Sequence, residues 1–262
     1  MKIVSWNCRM DFKKKINAIT DEKSKIYGNA DIYVIAECEN PREPHTDYEE
    51  YKKTVKKLFG ENHHWIGDTH SKGLGIFARN CELKEIETYG EFKHFMAFRV
   101  DDLFNILCVW AMPKYVEMIH DFLDANKGNE ELFKKDLIIC GDFNSNVSQN
   151  HNHKAKDKSG KHKNHTNLNK KLNNRGLYSV YHKLSGECNG EETRFTFFQG
   201  GHLNAPYHFD YFYANEELIN KLELMYYYKF DSKDELPNKF EILDSSQWIC
   251  LSDHLPLVLK FE

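Results

Sequence analysis

The apolar residues of this 262-residue chain come in short runs that end abruptly at polar residues. Residues 32–36 form one such run, which stops at Glu37, and residues 137–140 form another, which stops at Gly141 and Asp142. Apolar runs of this length between turn signals are typical of buried β-strands, and they fall far short of the roughly 20 residues that a membrane helix needs. The chain is therefore predicted to fold around β-sheets, and no membrane partner is expected.

Helical periodicity alternates with these strand-like runs along the chain. We predict helices over residues 11–27, 48–59, 115–123 and 165–175. We predict strands over residues 2–7, 31–36, 136–140, 194–197, 208–213, 222–229 and 257–261. A further group, residues 65–66, 73–78, 83–88, 95–100 and 104–110, recurs at hairpin-like intervals and predicts an antiparallel sheet. No linker rich in Pro, Gly or Ser interrupts the order, so we expect a single domain over residues 1–262.

The net charge of the chain excludes few functions, whereas its cysteine content indicates the cellular compartment. The chain has 36 Lys or Arg and 40 Asp or Glu, a net charge of −4, which neither requires nor excludes a nucleic-acid partner. Its seven cysteines are odd in number and contain no CxxC pair, which favours a reduced state over a disulfide framework. With no secretory signal visible near Met1, we expect a cytoplasmic protein, and we expect it to be a monomer.

One segment departs from the average charge. Residues 149–175 carry eight Lys or Arg against Asp157 alone, a net charge of +7. The first part, about residues 149–165, has almost no apolar residues and is predicted to be a flexible loop. It could simply keep the protein soluble, or it could guide a polyanion toward a site nearby. His151 and His153 could hold a metal, although two solvent-exposed histidines usually hold none.

Polar residues with catalytic chemistry follow several predicted strands. Asn7, Glu37 and Asp142 each come directly after an apolar run, and Asp253 with His254 directly precedes the last strand. Each residue alone has a structural explanation as a cap or turn residue. Together, carboxylate and amide oxygens placed by rigid strands suit a hard cation, Mg²⁺ or Mn²⁺, rather than zinc. Such an ion offsets charge that develops on a phosphoryl group.

The motifs around these residues resemble the successive signatures of the endonuclease/exonuclease/phosphatase superfamily, and most closely those of a bacterial subgroup. The resemblance runs from residue 3 to residue 259 in the superfamily's order. Its most specific parts are Gly-Asp-Phe-Asn and Ser-Asp-His-x-Pro. The motifs are Ser5-Trp-Asn-Cys8, Ala36-Glu37, Gly73-Leu-Gly-Ile76, Cys140-Gly-Asp-Phe-Asn144, His208-Phe-Asp-Tyr211 and Leu251-Ser-Asp-His254.

The resemblance implies an α/β (α+β) fold, a four-layer α/β/β/α sandwich. Two central, mostly antiparallel sheets would be flanked by helices, with the site at one rim. It also implies that Glu37 is the principal ligand of a divalent metal, helped by Asn7 and Asp253. Whether one or two ions bind is left open, since Asp142 would hold either the attacking water or a second metal.

The resemblance further implies a catalytic group. His254, oriented by Asp210, would contact the scissile phosphate, and Asn144 would bind phosphate or position the water. Whether Asp142 or His254 is the base stays open.

Three residues are expected to bind substrate: Arg9, Trp110 and His208. Trp110 stands where deoxyribonuclease-like members of the superfamily carry a catalytic His and apurinic endonucleases a Tyr, and an indole has no acid or base function. It would be either a stacking platform for a base or a core residue. His70 and His94 are candidates for the missing proton donor.

These features predict a metal-dependent phosphodiesterase, an endo- or exonuclease that hydrolyses DNA or RNA by metal-assisted water attack. A phosphatase or phosphodiesterase acting on a small molecule, such as a nucleotide or inositol phosphate, is the first alternative. A non-catalytic binding module with a decayed site is the second.

Overall fold

The computed structural model describes residues 1–23, 27–133, 136–224, 240–242 and 246–261. Within these ranges the strands are β1 Lys2–Asn7, β2 Ile32–Cys38, β3 His63–Thr69, β4 Lys72–Ala78, β5 Leu83–Glu85, β6 Phe95–Val100, β7 Phe104–Trp110, β8 Leu137–Asp142, β9 Leu177–Ser179, β10 Phe197–Phe198, β11 Pro206–Tyr207, β12 Asp210–Asn215, β13 Phe240–Ile242 and β14 Leu257–Lys260. The α-helices are α1 Phe12–Thr20, α2 Glu49–Phe59, α3 Val116–Ala125, α4 His165–Asn173, α5 Val180–Ser185, α6 Glu216–Leu224 and α7 Ser246–Leu251. None of the helices in these ranges has the length and apolar character needed to cross a membrane.

Two six-stranded mixed sheets carry the fold. The first has the order β13-β14-β1-β2-β4-β3, and the second has the order β5-β6-β7-β8-β12-β9. In each sheet one central pair is parallel, β1 with β2 and β7 with β8, while the other neighbours are antiparallel. In each sheet the two parallel strands therefore have their carboxyl termini side by side. We call this end of the strands the edge of the sheet.

The two sheets pack face to face, and helices cover their outer faces. Successive residues of β7 alternate between two apolar clusters, as the two-residue period of a strand requires. Ile106 and Cys108 belong to the cluster that also contains β1, β2 and β4, whereas Leu107 and Val109 pack with α3 and α4. On the opposite side, α1 and α2 bury their apolar residues in the first cluster. The predicted four-layer sandwich of mostly antiparallel sheets is confirmed.

Several predicted elements differ from the structure in extent. The helix predicted over residues 11–27 ends at Thr20, and Ile26, which supported its extension, lies outside the described residues. The strand predicted over residues 83–88 ends at Glu85. Of the strand predicted over residues 194–197, only Phe197 is in a strand, the two-residue β10.

Two predictions were wrong in kind. The strand expected over residues 222–229 begins inside α6, because two acidic residues, Glu216 and Glu217, stabilise the first turn of a helix there; residues 225–229 lie outside the described part of the chain. The five hairpin-spaced runs do not form one sheet. β3 and β4 pair with β2, whereas β5, β6 and β7 belong to the second sheet. Local spacing shows that strands are antiparallel neighbours, but it does not show where one sheet stops.

The basic segment contains a 3₁₀ helix, Val147–Asn152, followed by a β-bridge between Lys156 and His162. Its flexibility and the single-domain organisation of the chain stay predictions.

Candidate active site

The strand-end residues converge where the parallel pairs of the two sheets end. In the first sheet Asn7 is in register with Ala36, so Asn7 and Glu37 lie side by side. In the second sheet Asp142 pairs with Trp110 on one side and with Asp210 on the other. The edge of each sheet thus presents polar side chains toward the other.

Asn7 connects the two sheets through its side-chain amide. Its Nδ2 donates to Asp142 Oδ2 at 2.9 Å and to Glu37 Oε1 at 3.2 Å. Asn7 itself is held by Ser252, whose hydroxyl donates to the Asn7 carbonyl at 2.8 Å. Since Ser252 Oγ also accepts from the His254 backbone N–H at 3.1 Å, one hydroxyl ties the loop that carries His254 to the end of β1.

Hydrogen-bond donors surround one side of the Asp142 carboxylate. Asn144 donates its backbone N–H to Asp142 Oδ1 and its side-chain Nδ2 to Asp142 Oδ2, each at 2.8 Å. Asn144 has a φ of +47°, a conformation that asparagine tolerates better than most residues, and this turn folds its side chain back onto Asp142.

His254 and Asp210 form a buried pair. His254 Nδ1 donates to Asp210 Oδ2 at 2.8 Å, and His254 Nε2 lies 4.0 Å from Asp142 Oδ2. The hydroxyl of Thr196 accepts from the backbone N–H of Asp210, which fixes the start of β12, and the Trp6 indole donates to the His254 carbonyl. A carboxylate behind the imidazole fixes which ring nitrogen faces Asp142.

The electrostatics of this group stabilise a protonated His254 and raise the pKa of Asp142. Burial opposes the charged imidazolium of His254, but the carboxylates of Asp210 and Asp142 outweigh it and raise the pKa of His254 to about 9. Burial also raises the pKa of Asp142 to about 7, against the lowering effect of His254. Near neutral pH His254 is therefore a cation, while Asp142 is poised to gain or lose a proton.

Glu37 projects from a bulge. The pairing of β2 with β4 shifts register between Ala36 and Cys38, and Glu37 between them has a φ of +61°. Bulges re-aim a side chain at the edge of a sheet, and here Glu37 turns toward Asn7. Its second oxygen, Oε2, is 3.0 Å from the ammonium of Lys72, a residue that belongs to none of the sequence motifs.

Asp253 is connected to the same edge through Arg9. The Arg9 guanidinium lies 3.6 Å from Asp253 Oδ2, and the Arg9 backbone N–H donates to Asn7 Oδ1 at 3.0 Å. The Arg9 side chain is half-exposed, so it remains accessible from solvent.

Trp110 is brought beside Asp142 but is only 3% exposed, and its indole belongs to the core between the sheets. Its Nε1 is buried without a hydrogen-bond partner. The ring of His94 packs against it at 4.4 Å between centroids. Of the two interpretations of Trp110, burial favours the core residue over the stacking platform.

His208 is not brought into this group. It is 1% exposed, its Nδ1 donates to the Arg194 carbonyl at 2.8 Å, and its ring packs against Tyr181 and Tyr211. Burial lowers the pKa of His208 to about 4. The side chain has almost no surface for contact with a substrate, and substrate binding by His208 stays a prediction.

The buried side chain of His165 makes the free energy of unfolding sensitive to acid. Burial lowers the pKa of His165 to about 3, while an unfolded histidine titrates near 6.5. Below pH 6.5 the unfolded chain takes up a proton that the native state refuses, so unfolding becomes easier as pH falls. At pH 5 this difference amounts to about 2 kcal/mol of unfolding free energy. We expect His165→Asn to lose that part of the acid sensitivity in urea titrations at pH 7 and pH 5.

The matched control for this prediction is His151→Asn, because the side chain of His151 is exposed. Equal pH dependence in the wild type and in His165→Asn would show that His165 is not the group that destabilises the native state in acid.

A hard cation fits the oxygen donors at this edge. Asp142, Asp210 and His254 offer ligand atoms within 4.8 Å of one another, a cluster that no other part of the described chain repeats. A protonated imidazole has no lone pair to give, however, and Asp210 Oδ2 is already engaged by His254. Asp142 is partly protonated near pH 7, so the Glu37 carboxylate, 3.2 Å from Asn7 Nδ2, suits the ion better.

Sequence reasoning missed the residues that hold the site together. Ser252 lies inside one of the sequence motifs, but the amino-acid sequence of that motif does not show that Ser252 bridges β1 and the loop that carries His254. Thr196 and Lys72 carry no local signal, since their partners lie 14 and 35 positions away in the chain.

Comparison with solved structures gives full-length matches. A 3′-5′ exonuclease (NExo) from Neisseria meningitidis matches with a TM-score of 0.63 and 15% identity, covering 100% of both chains. A 3′ phosphatase NExo from Neisseria bound to a product DNA hairpin has a TM-score of 0.63 and 13% identity, covering 100% of this chain and 99% of the other. An AP endonuclease from Archaeoglobus fulgidus has a TM-score of 0.60 and 17% identity, with the same coverage. No protein-family model and no curated protein sequence matches the chain.

These likenesses establish the architecture. The chain has the fold of the endonuclease/exonuclease/phosphatase superfamily, as its motifs predicted.

Proposed function

We propose that this protein is a divalent-metal-dependent phosphodiesterase, specifically a nuclease that hydrolyses phosphodiester bonds of DNA or RNA. The observation that carries the proposal is the buried Asp210–His254 pair, with His254 4.0 Å from Asp142. Asn7 ties Asp142 in turn to Glu37 on the facing sheet. A cationic imidazole, an ionisable carboxyl group and a second carboxylate suited to a cation, all at one edge, are the groups that hydrolysis of a phosphate ester uses.

Glu37, Asn7 and Asp253 would hold Mg²⁺ or Mn²⁺. When bound, the ion supplies positive charge that offsets the negative charge developing on the phosphoryl oxygens. The half-exposed Arg9 is placed to contact a neighbouring phosphate.

The protein's own groups divide the proton chemistry. Asp142, with a pKa of about 7, accepts a proton from the attacking water, and Asn144 orients that water through its amide. His254 stays protonated because of Asp210, and it donates a hydrogen bond to the phosphoryl oxygen as charge builds there.

The comparisons support a nucleic-acid substrate for this chemistry. The three neighbours are described as an exonuclease, a DNA 3′ phosphatase and an AP endonuclease. The phosphatase among them favours a terminal phosphomonoester of DNA as a second substrate to test.

The test is a substrate panel with and without chelator. Plasmid DNA, single-stranded DNA, RNA, a 3′-phosphorylated oligonucleotide, nucleotides and inositol phosphates are incubated with the protein in Mg²⁺ and in Mn²⁺. We expect chelator-sensitive cleavage of at least one polymer, and Asp142→Asn should abolish it. Turnover confined to the small esters would replace the nuclease by a small-molecule phosphatase, and no turnover of any ester would favour a binding module.

Cation binding gives an independent prediction. Glu37→Gln is expected to weaken Mn²⁺ binding at least about tenfold, because it removes one negative charge from a site whose affinity follows ligand charge. Isothermal titration calorimetry on the wild type and the variant measures the difference. Glu50→Gln removes an exposed carboxylate on α2 and serves as the control. Unchanged Mn²⁺ binding in Glu37→Gln would show that Glu37 is not a ligand of the ion.

A further inference from the structure

The basic segment folds into a β-hairpin, which we call the basic hairpin and define as residues 154–163. The backbone N–H of Asp157 donates to the Lys161 carbonyl at 2.9 Å, and that of Lys163 donates to the Ala155 carbonyl at 2.8 Å. A turn closes the hairpin, where the Gly160 N–H donates to the Asp157 carbonyl at 3.0 Å. The Asp157 carboxylate accepts from the backbone N–H groups of Ser159 and Lys161, which stiffens the turn.

The hairpin separates its lysines by face. Exposure alternates along its first strand, since Lys154 and Lys156 are exposed while residues 155 and 157 are half-buried. This alternation is expected of an extended strand that rests one face on the protein. On the inner face Lys163 makes an ion pair with Asp121 of α3. The outer face therefore presents Lys154 and Lys156, with His162 opposite Lys156. Lys158 and Lys161 are exposed at the turn beside it, and we call these four residues the outer lysines.

The outer lysines are not neutralised by the protein. In the described ranges no ion pair or hydrogen bond involves the ammonium group of Lys154, Lys156, Lys158 or Lys161. Neighbouring basic residues of the same segment do have acidic partners, because Lys163 pairs with Asp121 and Lys171 pairs with Asp124, both on α3. The segment thus uses some of its charge to dock on α3 and presents the rest to solvent.

The hairpin follows the strand that carries Asp142. It begins after the 3₁₀ helix that comes next to Asn144, and the ring of His153 lies 6.4 Å from the ring of the exposed Tyr115. Tyr115 belongs to the loop that follows Trp110, and Trp110 is in parallel register with Asp142. The carboxyl ends of β7 and β8 meet at one edge, so the loops that support the hairpin start at the edge that holds the candidate site.

We infer that the outer face of the basic hairpin binds the phosphate backbone of a nucleic-acid polymer beside the candidate site. This inference rests on the proposed function and narrows its substrate. Residues 154–157 extend over roughly 10 Å at about 3.3 Å per residue, and Lys158 follows in the turn, so the lysines spread over more than one phosphate group. Unpaired lysines in such a row match a polyanion that carries a charge every few ångströms, whereas a nucleotide or inositol phosphate would contact only one end of the row.

The test replaces the four outer lysines by Gln and varies the salt concentration. Binding of a fluorescent 30-base-pair DNA duplex is measured by anisotropy in chelator, where no cleavage occurs. The slope of log K against log[KCl] is expected to become shallower by up to about 3.6 in the variant, at about 0.9 for each duplex phosphate that a lysine no longer neutralises. In Mg²⁺ the kcat/KM of the variant for cleavage of the same duplex should be lower than that of the wild type. Its rate of hydrolysis of bis(p-nitrophenyl) phosphate should be unchanged.

A matched variant removes four exposed lysines elsewhere: Lys23, Lys53, Lys57 and Lys127. If this control lowers the salt slope as much as the hairpin variant does, net charge rather than the hairpin binds DNA, and the inference is overturned. An unchanged slope in the hairpin variant, or no DNA binding by the wild type, overturns it too. Because binding is read without turnover, a protein that binds DNA through the hairpin but cleaves nothing would refute the proposed function and leave the hairpin in place.

Discussion

Replacing His254 by Ala is expected to lower kcat on a nucleic-acid substrate by about 10²–10³-fold, the usual cost of removing one hydrogen-bond donor to a developing oxyanion. The imidazole is buried, is fixed by Asp210 at 2.8 Å and has a pKa raised to about 9, so it delivers a positive charge that no solvent group can replace. KM should change much less, because the charge matters most when the phosphoryl group becomes more negative.

The Asp210→Asn variant keeps the His254 ring but removes its carboxylate partner, so it tests what the Asp210–His254 pair contributes to activity. Without the carboxylate the imidazolium loses its main stabilising partner, and the pKa of His254 should fall. On the alkaline side the wild type is expected to lose activity as pH rises through about 9, and Asp210→Asn should lose it at a lower pH. His151→Ala, at an exposed position, controls for loss of a histidine as such. A kcat for His254→Ala within a few fold of wild type, with a normal thermal melt, would remove His254 from the chemistry.

The sequence predicted the ends of strands better than it predicted their partners. β6 and β7 were located to the residue, because their apolar runs are bounded by turn residues on both sides. The assignment of β3 and β4 to a different sheet from β5 could not be predicted, since pairing with β2 depends on contacts about 40 residues apart. α6 was not predicted, and a strand was expected from residue 222 onward, because a short apolar run fits a strand and a buried helix equally well.

The candidate site followed the same pattern. Asn7, Glu37, Asp142 and His254 were selected as polar residues next to apolar runs, and these are positions that a rigid strand fixes. Their mutual contacts depend on how two sheets pack, and no local pattern encodes that packing. Trp110 shows the limit most clearly. Its place at the end of β7 was predicted, but whether the indole faces solvent or the core depends on the facing sheet.

Gly141 connects fold to site, and its substitution is expected to have the largest effect on stability. Gly141 has a φ of +137°, and an added Cβ would overlap the Val109 carbonyl oxygen and lie 2.8 Å from the carbonyl carbon. β7 and β8 are in parallel register there, so relief requires the two central strands to move apart. Strain of about 1–3 kcal/mol from the backbone and a similar amount from overpacking predict that Gly141→Ala is destabilised by about 2–6 kcal/mol.

Thermal or urea unfolding of Gly141→Ala measures this loss, and Gly128→Ala is the matched control because a Cβ at Gly128 meets nothing within 4 Å. The consequence reaches the chemistry as well. Asp142 is the next residue, and a shift of β8 would pull its carboxylate from Asn7 Nδ2 and lengthen the 4.0 Å separation from His254. We therefore expect the folded fraction of Gly141→Ala to have a reduced kcat. Equal melting temperatures for Gly141→Ala and Gly128→Ala would mean that the two strands do not approach as closely at Gly141 as this arrangement of the site requires.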